Sequence, residues 1–176
     1  MNTSNKKPLS STAKFFFARI IPLSVVLIGT LALYVGIGNV LNARASTSWP
    51  SVEGKVSKSE VRMQLASGGE QSVNNPVTYH ADIGYDYTVD GENFKGSRIA
   101  FGDLGTAERS DADAISDKYP LDISVTVYYK PNEHQVSLLE PGLRTSVWFP
   151  VFLGIPFLLI GLALLVFLSK IIKSMA

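Results

Sequence analysis

The sequence predicts a membrane protein in which a mainly β soluble domain is carried between two transmembrane α-helices. The domain is expected to hold about five antiparallel strands, curled as a half-barrel or small sandwich, with one helix. Three observations carry this reading: two uncharged apolar runs near the ends of the 176-residue chain, an unbroken apolar–polar alternation from Val77 to Val89, and the confinement of all 15 acidic residues to the stretch from Glu53 to Glu140. The implied plan is a cytoplasmic tail at 1–14, a span at 15–41, an extracytoplasmic β-rich domain at 42–145, a span at 146–172 and a cytoplasmic tail at 173–176.

From Ile20 to Leu41 no residue is charged, and 13 of the 22 positions are Leu, Ile, Val or Phe. At roughly −0.3 to −0.6 kcal/mol each, these favour insertion by on the order of 5 kcal/mol before Pro22, Tyr34 and Asn39 subtract their share. The second run is stronger, with no charge from Thr145 to Ser169 and 16 such residues between Val147 and Leu168. A helix of about 22 residues, rising ~1.5 Å per residue, covers the ~30 Å hydrocarbon core, so each run spans once. Ala43-Arg44-Ala45 also fits the small-x-small rule of a cleaved signal peptide. The apolar run is much longer than the ~7 to 15 residues of a signal core, which predicts a retained span.

The first partner is therefore the lipid bilayer. Lys6, Lys7, Lys14 and Arg19 precede the first span, and Lys170 and Lys173 follow or end the second, so both termini are expected in the cytoplasm. The net charge of +1 hides this segregation: the stretch from Arg44 to Arg144 carries ten basic against 15 acidic residues, a balance of −5, and the flanks carry +6. Trp49 and Trp148 lie next to the spans, which places both indoles near the outer interface, with packing in the domain core as the alternative. Ala32 with Gly36, and Gly154 with Gly161, suit close contact between the two spans as a hairpin or, alternatively, a dimer seam. Pro156 is expected to bend the second helix. No ionisable side chain occupies mid-membrane, which argues against a proton or ion pathway. Cysteine is absent, so the domain must hold together by its core, without disulfides or thiolate metal ligands.

Within the domain, Trp49 to Leu65 reads as extended. Val52, Gly54 and Val56 share one parity and Val61, Met63 and Leu65 the other, which requires a bulge or break near Ser57 to Ser59. Gly68-Gly69 and Asn74-Asn75-Pro76 mark a loop. Val77 to Val89 is a half-buried strand, and Asp90-Gly91 supplies a two-residue hairpin turn, returning through Phe94 to Phe101. Thr106 to Lys118 is the helical candidate, capped by Thr106 or Ser110, with Ala107, Ala114 and Ile115 toward the sheet and Pro120 as its stop. Ile123 to Tyr129 and Gln135 to Leu139 complete the strands around a Pro131-Asn132 turn, as a meander.

Trp49-Pro50 with Glu53-Gly54-Lys55-Val56, Tyr85-Asp86-Tyr87 with Asp90-Gly91, and Tyr119-Pro120 leading to Val127-Tyr128-Tyr129-Lys130-Pro131 resemble the membrane-anchored bacterial β domains of domain-of-unknown-function family 3592. The likeness covers Trp49 to about Gly142 and includes the flanking spans. It departs at Leu121-Asp122, where the family usually has a glycine, and at Lys130, where aspartate is common; both touch turn chemistry. The resemblance implies a bacterial envelope location, and it brings no activity or catalytic residues.

His80, Asp82 and Asp86 share the polar face of one strand, and Glu133 and His134 lie near the last, so a His/carboxylate metal site is conceivable. The competing reading is a solvated face, since metal sites need three or four converging ligands and no paired-His motif is present. No Gly-x-Ser-x-Gly elbow occurs, and Gly68-Gly69 lacks the lysine and helix start of a phosphate loop. The negative domain disfavours nucleic acid. Tyr79, Tyr85, Tyr87, Tyr128 and Tyr129 offer a tyrosine-lined face, although alternation directs most of them to the core. Catalytic, cofactor and metal residues are accordingly expected to be none. The expectation is a non-enzymatic envelope protein whose β domain binds or positions another protein, or forms a homo-oligomer, with exposed sheet edges open to strand addition. The alternatives are an accessory subunit of a transport or secretion assembly and a membrane-bound enzyme using His80 and His134.

Overall fold

The computed structural model describes residues 16–65 and 77–174. The described residues form two compact units, a helical pair within 16–38 and 148–174 and a β unit within 39–147. The loop signals at Gly68-Gly69 and Asn74-Asn75-Pro76 lie outside the described residues.

A π turn at Phe16–Ile20 leads into helix α1 (Ile21–Ala45), and a 3₁₀ turn at Thr145–Trp148 leads into α3 (Phe149–Ser174), the short domain helix being α2. Both long helices are long and apolar enough to cross a membrane. Pro22 sits in the first turn of α1, directly after the π turn. The hydroxyls of Ser24 and Thr30 donate to the carbonyls of Ile20 and Val26 at 3.0 and 2.8 Å, so neither needs a partner outside its own helix. In the helical unit the two chains of backbone touch at glycine. Gly29 lies against the backbone of Leu158 and Gly154, Gly36 against Val151, and Gly161 against Val26, each too close for an added methyl group. The seam is the hairpin kind, and Gly29 with Gly36 is its first-helix half. Leu27, Leu31, Phe152 and Phe167 point away from it.

The β unit is one open antiparallel sheet of β1 (Ser51–Leu65), β2 (Val77–Val89), β3 (Glu92–Gly96), β4 (Ser124–Lys130) and β5 (Glu133–Leu138), in the order β3-β2-β1-β4-β5. A simple meander would leave β1 at an edge; here it is central, because the segment from β3 to β4 crosses to the other side of β1 and carries α2 (Arg109–Lys118) with it. The bulge demanded by the parity change is present. Val56 pairs with Tyr85 and Lys58 with Gly84, leaving Ser57 over, so that Val56, Ser59 and Val61 all turn to the same face. The β2–β3 turn has positive φ at both Asp90 (51°) and Gly91 (85°), the conformation that matches strand twist.

Two expectations need correction. The return strand stops at Gly96 rather than Phe101, since Ile99 instead accepts backbone bonds from Leu139 and Glu140. The helix starts at Arg109, after Glu108, with neither expected cap in place: Thr106 accepts from the Glu108 N–H at 3.2 Å and donates to Asp111, while Ser110 is already helical. Ala112 and Ile115, not Ala107 and Ala114, face the sheet.

Two apolar clusters fill the unit. The larger joins Val56, Ile83, Tyr85, Tyr87, Val89, Ile99, Tyr119, Val127 and Leu139. The smaller joins Ala43, Trp49, Phe101, Leu138 and Val147, with Val40 packed on it. Trp49 is thus a core residue, edge-on to Phe101 at 6.0 Å, rather than an interfacial indole; Trp148 is 41% exposed.

Candidate functional site

The sheet curls until its two edge strands approach. Tyr87 on β2 donates from its hydroxyl to the main-chain oxygen of His134 on β5, and Tyr85 donates to the main-chain oxygen of Arg98 at 2.9 Å, with Ser137 on β5 3.2 Å away. Burial pushes the Tyr85 phenol up to about 12, against the weaker pull of Ser137, so it remains a donor. Phe94 of edge strand β3 stacks on Tyr87 at 5.7 Å and meets the His134 ring edge-on at 5.8 Å. The edges of β3 and β5 therefore face each other there. Strand addition at that point is blocked.

The expected site residues are distributed rather than gathered. His134 is held between Phe94 and Tyr129, its Nε2 2.9 Å from the Pro131 oxygen. His80 stands opposite Arg62 on β1, with Gly105 so close that a Cβ there would overlap the imidazole. Tyr87, the residue that touches β5, lies seven positions along β2 from His80, about 23 Å of strand. Asp82 is bound by Lys58 at 2.6 Å and by Arg62. The Lys58 hydrogen bond, with help from the Arg62 charge, holds the Asp82 carboxyl below the usual carboxylate range, against the opposing effect of burial. Asp86 lies in a cross-strand row with Lys55 and Lys95, and its Oδ1 has no hydrogen-bond partner. Glu133 pairs with Lys130 at 2.5 Å across the β4–β5 turn. Among the described residues no group of three or more histidines and carboxylates could hold a metal ion. Tyr85, Tyr87 and Tyr119 are core residues and do not form a binding face, while Tyr79, Tyr128 and Tyr129 are half-buried.

Residues 52–144, more than half the chain, match the family described as Domain of unknown function (DUF3592). The chain belongs to this family. No curated protein matches it. The DUF3592 match begins in β1 and ends just before the turn that leads to α3, so it takes in the whole sheet and α2. The DUF3592 motif residues prove to be packing and turn residues: Tyr85, Tyr87, Tyr119 and Val127 are buried. The departure at Leu121-Asp122 is a turn as well. Asp122 takes φ 68°, a conformation Asp tolerates better than most residues, and pairs with Lys55 at 2.7 Å.

Two surfaces stand out among the described residues of the DUF3592 domain. Opposite the closed side, β4 pairs with β1 only along Ser51 to Lys55; from Lys58 to Leu65 no described strand lies on the outer edge of β1. That edge is fringed by Lys58, Glu60 and Arg62. The second surface is a groove of about 610 Å³ over the outer face, lined by Glu53, Lys55, Asp86, Asn93, Lys95 and Ser124. The sequence reading expected exposed sheet edges without placing this one, and it missed the groove, because each depends on where β4 stops and on how far the sheet curls.

Proposed function

We propose that this chain is a non-enzymatic protein of the bacterial cell envelope, held in the membrane by its two apolar helices, which presents the DUF3592 domain outside the cytoplasm to bind or position another protein. The observation that carries the reading is that, among the described residues, no strand pairs with the outer edge of β1 from Lys58 to Leu65. An edge strand leaves a row of main-chain donors and acceptors that an extended segment of a partner satisfies, and charged side chains along it discourage indiscriminate pairing. The separation of His80 from His134 and the engagement of Asp82 by two cations favour binding over catalysis. The net charge of −5 on the middle stretch favours a protein partner over nucleic acid.

The test is to tag the C-terminus, extract the full chain from native membranes in mild detergent, and identify what co-purifies. A stoichiometric protein partner supports the reading. Val61→Pro and Arg62→Pro then localise it, because alternate N–H groups of β1 face β2 and the outer edge. One of the two variants is expected to keep its thermal stability and lose the partner. An intact chain that emerges alone or only as a homo-oligomer removes the protein-partner reading.

A further inference from the structure

Three segments of the β unit meet where the chain leaves it at both ends. Ser46, one residue past the end of α1, donates to the Ala43 oxygen at 2.8 Å and accepts from the Gly142 N–H at 3.0 Å. Gly102 (φ 74°) is pressed against Ser146 and Val147, too close for any Cβ. The 102–104 and 142–147 loops are thereby fixed beside the end of α1. Each loop exposes a leucine, Leu104 at 56% and Leu143 at 51%. Arg44, in the last turn of α1, is exposed and has no ion-pair partner among the described residues. Arg98 is exposed too, its guanidinium 4.6 Å over the Phe101 ring.

We propose that this junction surface is a contact with the lipid headgroups, in which Leu104 and Leu143 enter the interfacial layer while Arg44 and Arg98 bind anionic phosphates. The proposal rests on the membrane reading above. Single exposed leucines on a soluble protein need no explanation. Here they sit on the two loops that adjoin the points where the chain passes into helices able to cross a bilayer, so the headgroup layer is the solvent they meet. Apolar side chains beside long cationic ones are the composition that such an interface selects. The acidic groups nearby do not oppose it strongly. Glu140 is already occupied by Lys118, Tyr119 and Arg144. Burial raises the Asp103 carboxyl, with Arg144 acting against it, which eases its neutralisation near a negative surface.

The absence of cysteine makes single-site spin labels unambiguous. The full chain would be labelled at Leu104→Cys, Leu143→Cys, Met63→Cys or Leu31→Cys. Each labelled chain would be reconstituted into vesicles of phosphatidylcholine with and without phosphatidylglycerol, and read by collision with oxygen and with a water-soluble nickel chelate. Met63 lies twelve residues along β1 from Ser51, about 40 Å of strand, and serves as the aqueous reference. The expected result is a several-fold lower nickel collision rate at 104 and 143 than at 63 in anionic vesicles, with the difference reduced in an Arg44→Gln/Arg98→Gln chain. Labels at 104 and 143 that behave like 63, while 31 reports lipid, overturn the headgroup contact and leave the anchor intact. A nickel-accessible label at 31 overturns the membrane reading itself. Protection that ignores both phosphatidylglycerol and the arginine changes overturns the anionic recognition.

Discussion

The hydroxyl of Tyr87 reaches the main-chain oxygen of His134 at 2.5 Å, tying a residue of β2 to the strand at the far side of the sheet. The sheet order places β5 four positions from β3, yet Phe94 and His134 touch, so this bond and the Tyr85 hydroxyl act across the gap that strand pairing leaves. Tyr87→Phe keeps the stack on Phe94 and removes only the donor. It is expected to lower stability by about 1 to 3 kcal/mol, the effect of leaving a buried acceptor unpaired. Denaturant melts of the full chain check this, and an unchanged midpoint would mean that the curl does not depend on the bond.

Gly105 and His80 form a second close contact. A methyl group at 105 overlaps the imidazole and Thr78, so Gly105→Ala is expected to destabilise the domain by about 1 to 3 kcal/mol through overpacking. The double variant Gly105→Ala/His80→Ala should recover only the part of the loss due to the imidazole, because the overlap with Thr78 remains. Thermal melts of the two variants beside the parent chain decide it.

The seam of the helical unit gives a contrast between two glycines of one helix. Gly29 lies on the backbone of Leu158, and Gly38 has nothing within 4 Å. Gly29→Leu is expected to lower the melting temperature of the chain in detergent, and Gly38→Leu to leave it unchanged. Equal effects would contradict the hairpin.

How much of this was legible in the sequence depended on range. The bulge at Ser57, the Asp90-Gly91 turn and the bounds of β2 follow from parity and turn chemistry within a dozen residues, and each is present. The strand order was not legible, since alternation gives each strand a buried face but no neighbour, and β1 became central only through the crossing between β3 and β4. Trp49 was expected at the interface with the core as the alternative, and Phe101 and Val147, both distant in sequence, decided for the core. For the first helix the expected pair was Ala32 with Gly36, whereas the glycine contacts fall at Gly29 and Gly36, seven apart like Gly154 and Gly161. Among the candidate site residues, the alternation placed Asp82 and Asp86 correctly on the polar face, but the partners Lys58 and Arg62 depend on β1–β2 register after the bulge.

Asp82 contributes to the pH dependence, as does Glu140, whose carboxyl, against the opposing effect of burial, Lys118, Tyr119 and Arg144 also hold below its ordinary value. The folded pKa of Asp82 lies below the ordinary 3.8, because Lys58 and Arg62 favour the charged form. The contribution to stability is therefore complete above the unfolded value and is lost as the pH falls through the folded one. Asp82→Asn is expected to flatten the acid limb of the stability profile below about pH 4 and to leave its slope near neutrality unchanged. Chemical denaturation from pH 2 to 7 reads the difference.

Retention of the first span also has a structural consequence. Val40 and Ala43 pack in the cluster around Trp49 and Val147, and cleavage after Ala45 would remove both. The full chain is expected to show its uncleaved mass in native membranes, and a chain that begins at Ser46 is expected to melt at lower temperature. Mass spectrometry and a melt of the shortened chain test the two halves.

The proposed role requires a domain that faces outward between two cytoplasmic ends. In the cysteine-free chain, Thr88→Cys marks the exposed outer face of the sheet and Ser174→Cys the end of α3. Intact cells expressing each variant would be treated with a membrane-impermeant maleimide. Labelling at 88 in intact cells, and at 174 only after lysis, is the predicted result. Labelling at 174 before lysis, or at 88 only after it, would contradict the topology and with it the proposed role outside the cytoplasm.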